Sequence, residues 1–153
     1  MLSRTKSMSQ EAEKNGRFDD GSEQVIGACI EVHRHLGPGL LESAYEQCLA
    51  HELSLRGFQF ERQRPLPVVY KGVHLDCCYR LDIVLGGCLL VEIKAVERLL
   101  PVHQAQVLTY LKLTQLPAAL LVNFNAVTLK EGLRRLTRRR DLLLPSFPPS
   151  CSS

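Results

Sequence analysis

The sequence predicts an α/β sandwich in which a mixed sheet carries helices on both faces. Three observations predict it. Apolar residues recur every three to four positions over residues 22–56, then every second position over 58–95. A second helical run opens at Pro101, and residues 116–124 read as a buried strand. The length of 153 residues, with 45% apolar and 23% charged, suits one domain with a real hydrophobic core.

The elements follow in order. Residues 1–21 are polar, charge-balanced and without periodicity, which predicts a disordered tail before a folded domain at 22–141. From Ser22, the positions of Val25, Ile26, Cys29, Ile30, Val32 and His33 predict a helix that Gly37-Pro38-Gly39 stops. A second helix over roughly 41–56 places Leu41, Ala44, Tyr45, Cys48, Leu49 and Leu53 on one side, with Gly57 as its cap. Strands are predicted at 58–63, 68–70, 73–79, 80–85 and 88–95, with Pro65 and Pro67 marking an edge or a break. Lys71-Gly72 and Gly86-Gly87 supply turns. Pro101 suits the first turn of a helix reaching about Leu113, because its missing N–H is not needed there. A short basic helix is predicted over 130–139, and residues 142–153 read as a loose Pro/Ser-rich tail.

Charge and cysteine content narrow the function classes. Residues 130–140 carry +5 of a chain whose net charge is +3, so basicity is confined to one patch near the C-terminus. The six cysteines (29, 48, 77, 78, 88 and 151) show neither a Cys-x-x-Cys motif nor zinc-like pairing with histidine. Cys29 and Cys48 fall on apolar helical faces and Cys88 opens a strand, where a thiol acts as a small hydrophobe. With no secretory signal, the expectation is reduced thiols in a cytoplasmic protein. The longest apolar run, 116–122, is far short of the roughly 18 residues of a membrane helix.

Within the β-patterned stretch stand residues that a core strand should not carry. Asp82 lies in Arg80-Leu81-Asp82-Ile83-Val84-Leu85, and Glu92 and Lys94 in Val91-Glu92-Ile93-Lys94. A buried carboxylate costs several kcal/mol unless a charge or metal compensates it. Glu92 and Lys94, two apart on a strand, leave the same face. A two-residue Gly86-Gly87 turn would send Asp82 to the opposite face. A three-residue loop or a bulge would pair it with Glu92. Because two stray buried acids are prohibitively costly, the odd loop is expected. Two converging carboxylates, with the Ile93 carbonyl, suit Mg²⁺ or Mn²⁺. An isolated Glu-x-Lys is more simply an internal salt bridge; the aspartate on the neighbouring strand tips the balance to chemistry.

Asp82 followed about ten residues later by Glu92-x-Lys94 resembles the signature of the PD-(D/E)XK nuclease superfamily. Gly39-Leu40-Leu41-Glu42-Ser43-Ala44-Tyr45 matches the motif of the GxxExxY protein family, a branch of it. Residues 63–72, 102–111 and 121–124 are also similar, and the resemblance covers about 23–138. It implies a restriction-endonuclease-like fold and a metal-dependent nuclease that hydrolyses phosphodiester bonds with a metal-activated water. By that resemblance Asp82 and Glu92 are metal ligands for Mg²⁺ or Mn²⁺, and Lys94 is the catalytic lysine. Glu42 orients the water, and Gln106 supports the site or contacts the phosphate backbone, with Tyr110 one turn on. Leu81 stands where the superfamily name has proline.

Other candidates have simpler readings. Tyr45 reads as core, His33 and His35 as exposed helix-end residues, His103 as surface, and Cys77-Cys78 as packing on two faces of one strand. Arg134, Arg135, Arg138 and Arg139 are either a solvated face or a phosphate-tracking patch. The expected partner is nucleic acid, DNA before RNA, with no membrane and with room for a homodimer or protein partner. A non-catalytic nucleic-acid-binding or adaptor module keeping the fold stands as the alternative.

Overall fold

The computed structural model describes residues 20–138, with the side chains of residues 76–78 left out of that description. Residues 1–19 and 139–153, which include Arg139, Arg140 and most of both expected tails, lie outside the described residues, as does the packing of Cys77-Cys78. Helices α1 (Ser22–Leu36) and α2 (Glu42–Leu55) precede strands β1 (Phe60–Tyr70), β2 (Val73–Leu85) and β3 (Leu89–Lys94). Helix α3 (Pro101–Thr114), β4 (Ala118–Asn123), a 3-10 turn (Leu129–Gly132) and β5 (Leu133–Thr137) complete the order. The sheet runs β1-β2-β3-β4-β5 and is antiparallel except between β3 and β4. A parallel neighbour requires a crossover, and α3 supplies it.

Each face of the sheet has its own core. Helices α1 and α2 bury Val25, Cys29, Tyr45 and Leu49 against Ile83, Val91, Leu120 and Val122. On the other face α3 buries Val107, Tyr110 and Leu111 against Leu66, Leu81, Leu90 and Leu121. This is the two-faced sandwich that the period changes predict.

The α1–α2 junction is held from the core. Tyr45 is fully buried, stacks on Phe124 with centroids 4.7 Å apart, and donates its hydroxyl proton to the Gly37 carbonyl at 2.6 Å. The same oxygen accepts the Leu40 N–H at 3.1 Å. Helix α2 ends as expected at Gly57, whose φ of 82° lets Gly57 N–H reach Ser54 and Phe58 N–H reach Leu53.

Several expectations are corrected. The basic stretch is a 3-10 turn followed by a strand, not a helix. Leu133 packs into one core and Leu136 into the other, and β5 pairs with the edge of β4, so tertiary pairing overrides arginine's helical preference. Residues 58–70 hold one strand rather than two, because β1 is an edge strand and tolerates Pro65 and Pro67. Residues 73–85 likewise form one strand. Cys48 is exposed, and Cys88 sits in the turn before β3. Leu41 precedes α2 and is 77% exposed. His33 is half-buried, and its Nε2 donates to the Ala126 carbonyl at 2.8 Å.

Candidate active site

The geometry of the acids is set by one turn. Gly86, Gly87 and Cys88 make a three-residue loop, so Leu85 pairs with Leu89 and Ile83 with Val91. The next step of the same register puts Asp82 opposite Glu92. There the side chains take over from the backbone ladder. Asp82 N–H donates to Glu92 Oε1 at 3.2 Å, and Ile93 N–H donates to Asp82 Oδ2 at 2.9 Å. The ladder opens where the two carboxylates meet, and Ile93 faces them with its N–H.

Lys94, at the end of β3, donates from Nζ to Gln106 Oε1 on α3 at 3.0 Å. Among the described residues it makes no ion pair, so the internal salt bridge is not what holds it. Phe124 N–H donates to the Lys94 carbonyl at 2.9 Å. Beside it, buried Asn123 accepts Val96 N–H at 3.1 Å and donates to the Val96 carbonyl at 2.9 Å. This ties the chain leaving Lys94 to β4. Gly132 packs on the same loop: a Cβ there would lie 2.3 Å from the Asn123 carbonyl oxygen, so only glycine fits.

Glu42 opens α2 and lines an open cavity of about 440 Å³ with Leu41, Ser43, Glu46, Gln63 and Asp82. A carboxylate in the first turn of a helix sits favourably against the helix dipole. Arg62 Nη2 contacts Glu46 Oε2 at 3.0 Å, and the Gln63 amide donates to Glu46 Oε1 and, at 3.3 Å, to Asp82 Oδ1.

The electrostatics follow first from burial and then from the closeness of the acids. Burial, then the charge of Asp82, pushes Glu92 up from 4.5 to about 8, against the pull of the Asp82 N–H and Lys94. Burial also raises Asp82, opposed by the Ile93 N–H and reinforced by Glu46. Glu42 is raised by burial and by Asp82, and lowered in turn by Lys94. The Tyr110 hydroxyl is raised by burial first and then by Glu92, so it too borders the site.

Glu42, Asp82, Glu92, Lys94 and Gln106 are thus gathered around the open end of the β2–β3 ladder. Arg134 and Arg135 are not. Arg135 is drawn to Asp20 and Ser22 at the start of α1, and Arg134 donates to the carbonyls of Glu131 and Leu133. On one strand the two leave opposite faces, so they make no single cationic surface. Glu46, Gln63 and Asn123 are missed by the sequence reading. Glu46 had a signal, since it lies one helical turn from Glu42. Gln63 and Asn123 had none beyond lying in similar segments.

A hard divalent cation fits this donor set. Asp82 and Glu92 offer only oxygen, and burial first, with neighbouring carboxylate charge second, raises their proton affinities, a cost to the charged forms that a bound cation would offset. Among the described residues no group of three or more His, Cys, Asp or Glu forms a ready cage. That is compatible with Mg²⁺, which usually binds through one or two carboxylates plus water and substrate phosphate.

A model of the PD-(D/E)XK nuclease superfamily matches residues 19–136. The match covers most of the chain, and the protein belongs to that superfamily. Its sandwich is restriction-endonuclease-like, and such nucleases generally depend on a divalent metal. No curated protein and no solved structure gives a significant match. No described helix is long and apolar enough to cross a membrane.

Proposed function

We propose that the protein is a nuclease of the GxxExxY branch that hydrolyses phosphodiester bonds in nucleic acid, DNA before RNA, in the cytoplasm. The observation that carries this is the Asp82–Glu92 cross-strand pair, bonded through each other's strands, with Lys94 next along the same face. Mg²⁺ or Mn²⁺ held by Asp82 and Glu92 would supply Lewis acidity for the phosphate and the attacking water. The chain's own groups do the rest. Lys94, held by Gln106 at 3.0 Å, directs N–H bonds at the water or at a phosphate oxygen that gains charge. Glu42 faces the cavity from α2 and accepts a hydrogen bond from the water, which orients the water's lone pair. Glu92 is buried, so its carboxylate, once it has given up its proton to solvent, would hold a cation in a low dielectric where the attraction is strong. Arg134, on the edge strand, adds non-specific attraction for the phosphate backbone.

Purified protein incubated with single- and double-stranded DNA and RNA, in Mg²⁺, Mn²⁺ or EDTA, tests this. Cleavage of at least one substrate with either cation, absent in EDTA and in Lys94→Ala, is expected. If wild-type protein cuts none of the four and no cation raises its melting temperature, the nuclease assignment falls and a binding module remains.

A further inference from the structure

We infer that Gln63 and Glu46 act as a positioning pair that fixes the orientation of Asp82, which deepens the nuclease reading and rests on it. Gln63 has a φ of 51° in the middle of β1. Among the described residues two other non-glycine residues have positive φ, and each has a local reason. Lys71 opens the Lys71-Gly72 turn, and Gln115 caps α3. Gln63 has no turn to make. The register continues on both sides of it, with Arg62 opposite Ile83 and Arg64 opposite Leu81. A left-handed glutamine inside a strand is unfavourable and persists only if its surroundings hold it.

The side chain is what holds it. Gln63 Nε2 donates to Glu46 Oε1 and to Asp82 Oδ1. A nitrogen facing two carboxylates allows one amide orientation, since the amide oxygen would be repelled by both. Glu46 is itself 7% exposed and is anchored by Arg62 at 3.0 Å. The chain of contacts therefore runs from Arg62 through Glu46 and Gln63 to Asp82. Asp82 Oδ2 is already taken by Ile93 N–H at 2.9 Å, so Gln63 fixes the other oxygen and with it the carboxylate plane.

The kink has a visible consequence in both strands. Phe60 packs into the α1–α2 core and Leu66 into the α3 core, although six residues apart they should share a face. Across from it Ile83 and Leu81 likewise part to opposite cores. The alternation of β1 and β2 reverses at the level of Gln63 and Asp82, and this aims Gln63 at α2. Strain located opposite the acid, with both carboxylate contacts on one nitrogen, is the pattern of a group that orients its neighbour.

Gln63→Gly separates orientation from stability, because glycine accepts the positive φ and lacks the amide. In EDTA its melting temperature should equal or exceed that of wild type. The Mn²⁺ concentration giving half the maximal melting shift should rise about tenfold, as for loss of other ligand-orienting partners. On an oligonucleotide substrate kcat should fall about tenfold or more while KM stays within about twofold. Glu46→Ala should weaken Mn²⁺ in the same way, and Glu46→Gln, which keeps an acceptor for Gln63, should recover most of it. The inference is overturned if Gln63→Gly responds to Mn²⁺ and cleaves like wild type, or if its metal response falls only in step with lost stability. A wild type that neither responds to Mn²⁺ nor cleaves would sink the nuclease reading instead, a distinct result.

Discussion

Replacing Glu92 by glutamine should stabilise the metal-free protein, and by an amount that grows with pH. Burial and the neighbouring Asp82 charge hold Glu92 at about 8, against an ordinary 4.5. The folded state therefore keeps this proton where the unfolded chain releases it. Stability is full below the unfolded value and is lost as pH rises towards the folded one. Each pH unit in that window is worth about 1.4 kcal/mol, so at pH 7 the ionisation penalty is on the order of 3 kcal/mol. Because Asp82 shares the charge, part of that belongs to the pair. For a domain of this size the difference is roughly 10 °C in melting temperature. Thermal unfolding in EDTA at pH 5, 6, 7, 8 and 9 measures it. Wild type and Glu92→Gln should melt close together at pH 5 and separate steadily to pH 8, the variant being the more stable. Mn²⁺ should close the gap by raising wild type alone. Parallel curves across the whole range, or a wild type that gains stability between pH 5 and 8, would refute the reasoning.

The remaining predictions concern the other charged groups and the α1–α2 junction. Asp82→Asn should abolish both the Mn²⁺-induced melting shift and cleavage, whereas Lys94→Ala should reduce cleavage by at least about 100-fold and leave the shift intact. Arg135→Gln should cost about 1 kcal/mol of stability at neutral pH, since its guanidinium is paired with Asp20. Burial opposes ionisation of Asp20, but its bonds to Ser22 and Arg135 win and hold it below 3.8. That contribution is present above the ordinary value and lost as pH falls through the lowered one, so the two proteins should converge in acid. Arg134→Gln should leave melting unchanged and flatten the salt dependence of nucleic-acid binding by about one phosphate contact, read from log affinity against log salt. Tyr45→Phe should cost about 1–2 kcal/mol in denaturant unfolding, because the Gly37 carbonyl and the Leu40 N–H lose their shared partner.

The sequence makes some features of this molecule legible and conceals others, for physical reasons. Period and punctuation suffice for α1, α2, α3 and the buried β4, because each has a continuous apolar face with a glycine or proline at its end. The pairing of Asp82 with Glu92 was legible too, from the cost of burying two acids apart. That cost weighs against the even loop and favours an odd loop or a bulge. The basic stretch failed because helix propensity is a local preference, while β5 exists for the sake of the β4 edge and the two cores that Leu133 and Leu136 enter.

Gln63 shows why the rest of the site was hidden. Its role depends on one backbone torsion, and a φ of 51° leaves no compositional trace at a glutamine. The motif that sequence reading recognises lists groups that do chemistry: an acid, an acid and a lysine. The groups that aim them are ordinary polar residues whose signal is where the chain bends. Glu46 lies on the borderline. Its spacing from Glu42 was readable, but a second acid on a helix looks like a solvated face until the strand beneath it is known to turn a glutamine towards it. The reach of sequence reading here ends at the step from residue identity to side-chain direction, and at Asp82 that direction is the property on which the proposed cation binding would depend.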